Sequence, residues 1–191
     1  MKYLIKVIIA TIIIIFSYYF INKFQIYLLT GLNTQSSENL LASNIYLPHG
    51  IRVMAAYVFG LNAFLGLFIA HIITGLESLS QINSFIISAS LFSAITPMLA
   101  IYLVFKKFNL NLKDISLSNI IKTAIISAIL NSFFSVIVRF LFKFYKSGEI
   151  FSLQFLKFLM GDILGVLFLF LILILLLNLK QIIIKIIKTK L

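Results

Sequence analysis

Three of the ionisable side chains inside strongly apolar stretches of this sequence, where a charge is costly, are candidates for chemistry. His49 and Arg52 stand near the start of "LPHGIRVMAAYVFGLNAFLGLFIAHIITG", and Asp162 stands in "FLMGDILG". An Asp at the centre of a membrane helix costs about 2.5–3.5 kcal/mol on insertion scales, so it is seldom placed there without a role. Arg52 and Asp162 can either line a polar pocket that binds a ligand or form an ion pair that locks helices together. The sequence leaves both alternatives open.

The other candidate chemistries are excluded by residue type or by spacing. The chain has no cysteine, which excludes disulfides, cysteine-rich zinc sites and a cysteine nucleophile. His49 and His71 have no Asp or Glu at metal-ligand spacing, so we predict no metal site. No serine stands in a nucleophile-elbow pattern, and no glycine loop resembles a phosphate cradle. We therefore expect no catalytic residue, no cofactor and no enzymatic activity.

The composition is that of a membrane protein. Hydrophobic residues make up 62% of the 191 residues and charged residues only 11%, with a mean hydropathy of +1.14. A soluble domain usually carries about 25% charged residues. The formal net charge of +11 comes mostly from lysines at the ends of apolar runs, where the positive-inside rule places them. We therefore predict a lipid bilayer as the surroundings, and no nucleic-acid partner.

The apolar runs predict an all-α, polytopic transmembrane bundle that forms a single domain over residues 1–191. At the length needed to cross a bilayer, the chain provides about five to six membrane segments. The first run lacks a small-x-small cleavage site, which favours a retained helix over a signal peptide. The predicted parts are transmembrane helices at 3–21, 82–105, 118–142 and 153–179, an outer loop at 22–44, a broken helix or hairpin at 45–76, and a basic tail at 180–191.

The stretch 45–76 either crosses the membrane once, as a tilted helix, or enters and turns back. A turn near Gly60, Asn62 and Gly66 puts both termini and the loop after residue 105 on one side. Nine lysines then share that side: Lys2, Lys6, Lys106, Lys107, Lys113, Lys180, Lys185, Lys188 and Lys190. The other side keeps chiefly Lys23, Lys143 and Lys146. The positive-inside rule thus favours a hairpin, with both termini cytoplasmic in a bacterial-type inner membrane.

Two short motifs carry a family resemblance. The first is Pro48-His49-Gly50, followed by Gly60 and by Gly66 with Ala70; the second is Gly161-Asp162 with Gly165. In their order and separation these motifs resemble the membrane-associated sensor domains of the MASE family, over about residues 45–177. His49 departs from the family, which usually has a small residue there, and this chain has fewer spans. The resemblance implies a sensor, and because the chain stops at Leu191 it would signal through a separate protein.

We therefore expect a sensor-like membrane domain that binds a small ligand. Its pocket, or its structural ion pair, would be built by two groups of residues: Pro48, His49, Gly50 and Arg52 from the broken stretch, and Gly161, Asp162 and Gly165 from the last span. A small transporter, or the substrate-binding subunit of one, is the second hypothesis, because broken helices lie near transporter sites. A structural partner subunit without a ligand is the third.

Overall fold

The computed structural model describes residues 2–31, 45–79, 83–108, 110, 116–143 and 151–190. This part of the chain is helical and contains no strand, which confirms the predicted all-α class. Five stretches in it are long and apolar enough to cross a membrane, one of them Leu47–Glu77. The protein is therefore a multi-pass membrane protein. Its elements are α1 (Lys2–Gly31), α2 (Leu47–Phe59), a 3₁₀ turn (Gly60–Asn62), α3 (Ala63–Leu79), α4 (Ser84–Phe105), α5 (Leu117–Leu141) and α6 (Phe151–Lys190).

The stretch from α2 to α3 turns back on itself. α2 begins beside the second half of α1, where the Gln25 amide accepts a hydrogen bond from the Leu47 N–H. α3 begins beside the first half of α1, where Gly66 packs against Thr11. α2 therefore runs antiparallel to α1, and α3 runs parallel to it. The two helices and the 3₁₀ turn between them therefore form a helical hairpin and do not continue as one straight helix.

A glycine makes the reversal possible. Gly60 has φ 56° and ψ −134°, a conformation that side chains with a Cβ rarely adopt, and its N–H caps α2 by bonding Ala56 O. Asn62 ends the 3₁₀ turn. Gly66, which we predicted as part of the break, lies inside α3 and serves close packing on α1 instead. With 13 residues, α2 is about 20 Å long, which is shorter than the roughly 30 Å hydrocarbon core and fits a re-entrant helix.

The remaining helices alternate in direction. α3 and α4 are antiparallel, since His71 contacts Ser90 and Gly75 lies beside Ile86. α4 and α5 are antiparallel, since Phe92 stacks on Phe134 and Phe85 contacts Phe142. α6 runs antiparallel to α5 and parallel to α2. The start of α1, the end of α4, the start of α5 and the last part of α6 therefore share one end of the bundle. We call it the basic end, because it carries Lys6, Lys106 and Lys107; the other is the opposite end.

Two helices are longer than the sequence predicts. α1 runs to Gly31, so the first part of the predicted loop 22–44 is helical, and residues 32–44 lie outside the described part. α6 is a single helix of 40 residues, about 60 Å long, that includes residues 180–190 of the predicted tail. Neither extension contains a proline, and α1 stops at the first glycine it meets. Polar composition alone therefore does not end these helices.

The hairpin predicts which positions share a side of the membrane. The chain has no cysteine, so single substitutions Lys6→Cys, Lys106→Cys and Lys143→Cys can be labelled in sealed vesicles with a membrane-impermeant maleimide. We expect Lys6→Cys and Lys106→Cys to react from the same side and Lys143→Cys only from the other. Labelling of Lys6→Cys and Lys106→Cys from different sides would contradict the hairpin.

Candidate functional site

The two glycine motifs meet where α2 crosses α6. The Tyr46 N–H donates a hydrogen bond to Gly161 O at 2.8 Å, which joins the segment before α2 to the backbone of α6. A Cβ added to Gly50 would lie 2.7 Å from Gly165 O, and one added to Gly165 would overlap Tyr46 O. Pro48 stands in the first turn of α2, where its missing N–H costs nothing. Small residues thus let two backbones touch, and they bring His49 and Arg52 up to Asp162.

Arg52 and Asp162 are connected through a third residue, Asn131 of α5. Arg52 Nη1 donates to Asn131 Oδ1 at 3.0 Å, and Asn131 Nδ2 donates to Asp162 Oδ2 at 2.6 Å. A direct ion pair, which was one of the two alternatives that the sequence left open, is therefore not formed in this structure. The guanidinium of Arg52 lies over the rings of Tyr18 and Tyr46, at 5.9 and 5.4 Å from their centroids. The attraction between a cation and these ring faces holds it on the side of α1. Arg52 and Asp162 are only 2% and 1% exposed, so the amide joins two buried charges.

His49 completes this cluster from the other side of Asp162. Its Nδ1 lies 3.8 Å from Asp162 Oδ1, and its Nε2 shares a hydrogen bond of 3.1 Å with Ser127 Oγ. This order of contacts is that of a serine-hydrolase triad. A hydrolase also needs free donors for an oxyanion, and Ser127 is completely buried in the interior of α5, whose backbone N–H groups are used by the helix. At Ser127 the triad-like order of contacts therefore comes without the free backbone donors that a hydrolase needs. We name His49, Arg52, Asn131 and Asp162 the charged cluster.

The hydrogen bonding of the charged cluster is incomplete. Five buried side-chain atoms in the described part have no hydrogen bond, and His49 Nδ1 and Arg52 Nε are two of them. A buried polar group without a partner costs about 1–3 kcal/mol. Lipid offers no replacement partner at membrane depth. The charged cluster is therefore energetically costly, and His49 Nδ1 and Arg52 Nε can each still form a hydrogen bond.

A ladder of polar residues on α5 leads away from the charged cluster toward the basic end. Asn119, Thr123, Ser127 and Asn131 follow one another at intervals of four and therefore share one face of the helix. The Tyr57 hydroxyl donates to Thr123 Oγ1 at 2.8 Å and lies 3.1 Å from Asn119 O. Thr123 Oγ1 in turn donates to Asn119 O at 2.8 Å. This ladder was not predicted, although its four-residue spacing inside an apolar run is a readable signal in the sequence.

Other polar and apolar features lie outside the charged cluster. His71 shares a hydrogen bond with Ser90 at 3.0 Å, and Arg139 lies over the Phe158 ring. Among the described residues, no group of three His, Cys, Asp or Glu is placed to hold a metal ion. A cavity of about 390 Å³ between α1 and α3 is apolar, lined by Ile12, Ile15, Phe16, Tyr19 and Ile73. None of its lining residues belongs to the charged cluster. The candidate site is therefore the buried cluster and not this surface cavity.

No family model, no curated protein and no solved structure matches this chain. The case for a function therefore depends on the chemistry of the charged cluster.

Proposed function

We propose that this chain is a multi-pass inner-membrane protein that binds a small polar ligand at the charged cluster and acts as a sensor for a separate protein. The observation that carries the proposal is a buried Arg, His and Asp at the crossing of a re-entrant helix and the longest helix. Ionisable groups inside a membrane protein are expensive and usually serve a site or a pathway. By the positive-inside rule, the basic end faces the cytoplasm.

The incomplete bonding favours a pocket over a structural lock. A lock between Arg52 and Asp162 would be strongest as a direct, fully bonded pair. Here an amide separates the two charges, and Arg52 Nε and His49 Nδ1 lack hydrogen bonds. A ligand with both donors and acceptors would use this capacity. Arg52 suits a ligand group that accepts hydrogen bonds, and the Asp162 carboxylate suits a group that donates them.

The arrangement of helices supplies a route for a signal. α2 has only 13 residues, and α6 carries Asp162 and then continues without interruption to Lys190 at the basic end. A ligand that binds two positions of α2 on α6 unequally would shift the population of α6 positions. The resemblance to MASE-family sensor domains supports this proposal, because the two motifs that carry it are the ones in contact.

The proposal predicts ligand-dependent stabilisation that requires Asp162. Thermal unfolding of the purified protein would be followed against a panel of small carboxylates, phosphates, amines and amides. A ligand at 100 times its Kd stabilises the folded state by about 2.7 kcal/mol, which raises the unfolding temperature by several degrees. We expect Asp162→Asn to abolish the shift. Glu77→Gln, the same chemical change at an exposed carboxylate paired with Lys23, should keep it.

A panel without any stabilising compound, or a shift that survives in Asp162→Asn, would count against a binding site at the cluster. Deletion of the protein could cause a larger membrane complex to fall apart while substitutions of Arg52 and Asp162 leave that complex intact. This result would favour the structural-subunit hypothesis instead.

A transporter is the second candidate function, and the re-entrant α2 favours it. Transporter sites are typically formed by discontinuous helices near the middle of the membrane. The two candidates differ in flux: proteoliposomes would accumulate the stabilising compound if the chain transports it. Binding without accumulation would favour the sensor.

A further inference from the structure

We infer that the charged cluster binds a proton, and that Ser127, Thr123 and Tyr57 form a proton-transfer path from His49 and Asp162 to the basic end. This inference rests on the proposed role of the cluster as a binding site and names one of its ligands. It also explains why α5 carries hydroxyl groups along a buried face, where burying alanine or leucine would cost less free energy.

The first link of the path joins a carboxyl group, an imidazole and a hydroxyl. His49 Nδ1 lies 3.8 Å from Asp162 Oδ1, so a small movement brings them into hydrogen-bond range. His49 Nε2 is already bonded to Ser127 Oγ at 3.1 Å. An imidazole can accept a proton at one nitrogen while it gives up another at the second. His49 is therefore placed to pass a proton between Asp162 and Ser127.

The second link continues along the ladder. Ser127 and Thr123 are one helical turn apart, about 6 Å along the axis, which is a separation that one water molecule can bridge. Thr123 Oγ1 accepts from the Tyr57 hydroxyl at 2.8 Å, and both groups contact Asn119 O. Asn119 is half-buried and lies in the first turn of α5, at the basic end. Hydroxyls both donate and accept, so each member can pass a proton on.

The path is blocked toward the opposite end. There the guanidinium of Arg52 lies over the rings of Tyr18 and Tyr46. A guanidinium accepts no hydrogen bond and keeps its positive charge, so it repels a proton that arrives from that direction. Asn131 and Ser127, which α5 presents to Asp162 and His49, do not titrate. Among the described residues, the charged and titratable groups nearest Asp162 are His49 and Arg52 of α2, Tyr18 of α1 and Tyr46 before α2. Arg139 of α5 lies beside Phe158, one turn before Asp162 on α6.

The proton transfer needs no other reactant, because each bond that breaks is matched by one that forms. The O–H bond of the Asp162 carboxylic acid breaks as an N–H bond forms at His49 Nδ1. The N–H bond at Nε2 breaks as Ser127 Oγ takes that proton, and the Ser127 hydroxyl proton passes to the next oxygen. The same steps in reverse load the site from the basic end. The positive charge of Arg52, connected through Asn131, stabilises the carboxylate that remains.

Infrared spectroscopy can follow the proton on Asp162 directly. The chain has two aspartates, Asp114 and Asp162, so Asp114→Asn protein grown on ¹³C-labelled aspartate has one labelled carboxyl group. In proteoliposomes with the basic end facing out, a rapid change of external pH should make its carboxylic-acid carbonyl band appear or vanish. We expect Thr123→Val to slow this response about tenfold or more, and Tyr57→Phe to slow it as well.

Thr96→Val is the matched control, since it removes the hydroxyl of a buried threonine on α4 that lies off the path. Its response should keep the rate of the parent protein. A labelled band that never changes with pH, or one that changes equally fast in Thr123→Val and Thr96→Val, would overturn the inference. The proposed function is tested separately, because ligand-dependent stabilisation should survive in Thr123→Val.

Discussion

Replacing Arg52 by methionine is expected to destabilise the protein by about 3–5 kcal/mol, because it leaves Asp162 buried without its compensating charge. Asp162→Leu should cost a similar amount for the reciprocal reason. The double variant should cost clearly less than the sum, since it removes both charges and keeps the volume apolar. Equilibrium unfolding in mixed micelles would measure the free energy of unfolding for all four proteins.

The exposed pair of Lys23 and Glu77 supplies the control for this cycle. Its atoms are closer, at 2.9 Å between Lys23 Nζ and Glu77 Oε2, but its side chains are 47% and 36% exposed. We expect Lys23→Met and Glu77→Gln to leave stability near that of wild type, because exposed pairs contribute little. Additive effects for Arg52→Met and Asp162→Leu would show that the two buried charges do not depend on each other.

Exchanging the two charges should not restore stability, and the reason lies in what surrounds each one. A carboxylate at position 52 would face the rings of Tyr18 and Tyr46, whose electron-rich faces attract a guanidinium and repel an anion. An Arg at position 162 would lie against His49 and against the Asn131 Nδ2 group, which now donates its hydrogen bond to Asp162 and cannot accept one from an Arg. The pair is therefore directional, which a sequence that shows only two opposite charges does not reveal.

Charge counting favoured the hairpin, because it depends on sums over many residues and not on one contact. Because many lysines contribute to the count, a wrong placement of one of them does not change the result. The positive-inside rule therefore favoured a hairpin at Gly60. The contact of α2 with α6 was expected from the charges of Arg52 and Asp162 and from the family resemblance, and the structure places Gly50 and Gly165 where the two backbones meet. A Gly at 50 and another at 165 inside apolar helices are costly unless a backbone approaches them closely.

Individual side-chain partners could not be predicted in the same way. Asn131 is one of several polar residues in its span, and nothing local distinguishes the one that joins Arg52 to Asp162. Helix ends were also missed, because residues 22–31 and 180–190 are polar enough for a loop yet contain no residue that stops a helix before Gly31. Which of two acceptable conformations such a segment adopts is decided by its neighbours in the fold.

Gly165→Ala is the second substitution with a large expected effect, and it tests the contact on which the whole site depends. The added methyl group would overlap Tyr46 O and come within 3.2 Å of Leu47 N, both of them backbone atoms that cannot rotate away. Tyr46 is also tied to α6 by its bond to Gly161 O. Overpacking in a well-packed interior costs about 1–3 kcal/mol and more where backbone must move. We expect Gly165→Ala to lower the thermal unfolding temperature strongly, or to prevent recovery of folded protein.

Gly75→Ala is the control for this substitution, because its methyl group would meet only the Ile86 side chain, at 3.1 Å from Cγ2. It should unfold close to the wild-type temperature. If Gly165→Ala is as stable as Gly75→Ala, then α2 does not rest on α6 as described. If Gly165→Ala folds with reduced stability and loses ligand-dependent stabilisation while Gly75→Ala keeps it, the seating of α2 on α6 is what holds His49 and Arg52 in reach of Asp162. The two glycine motifs would then act as the frame of the site, and the polar residues between them as its chemistry.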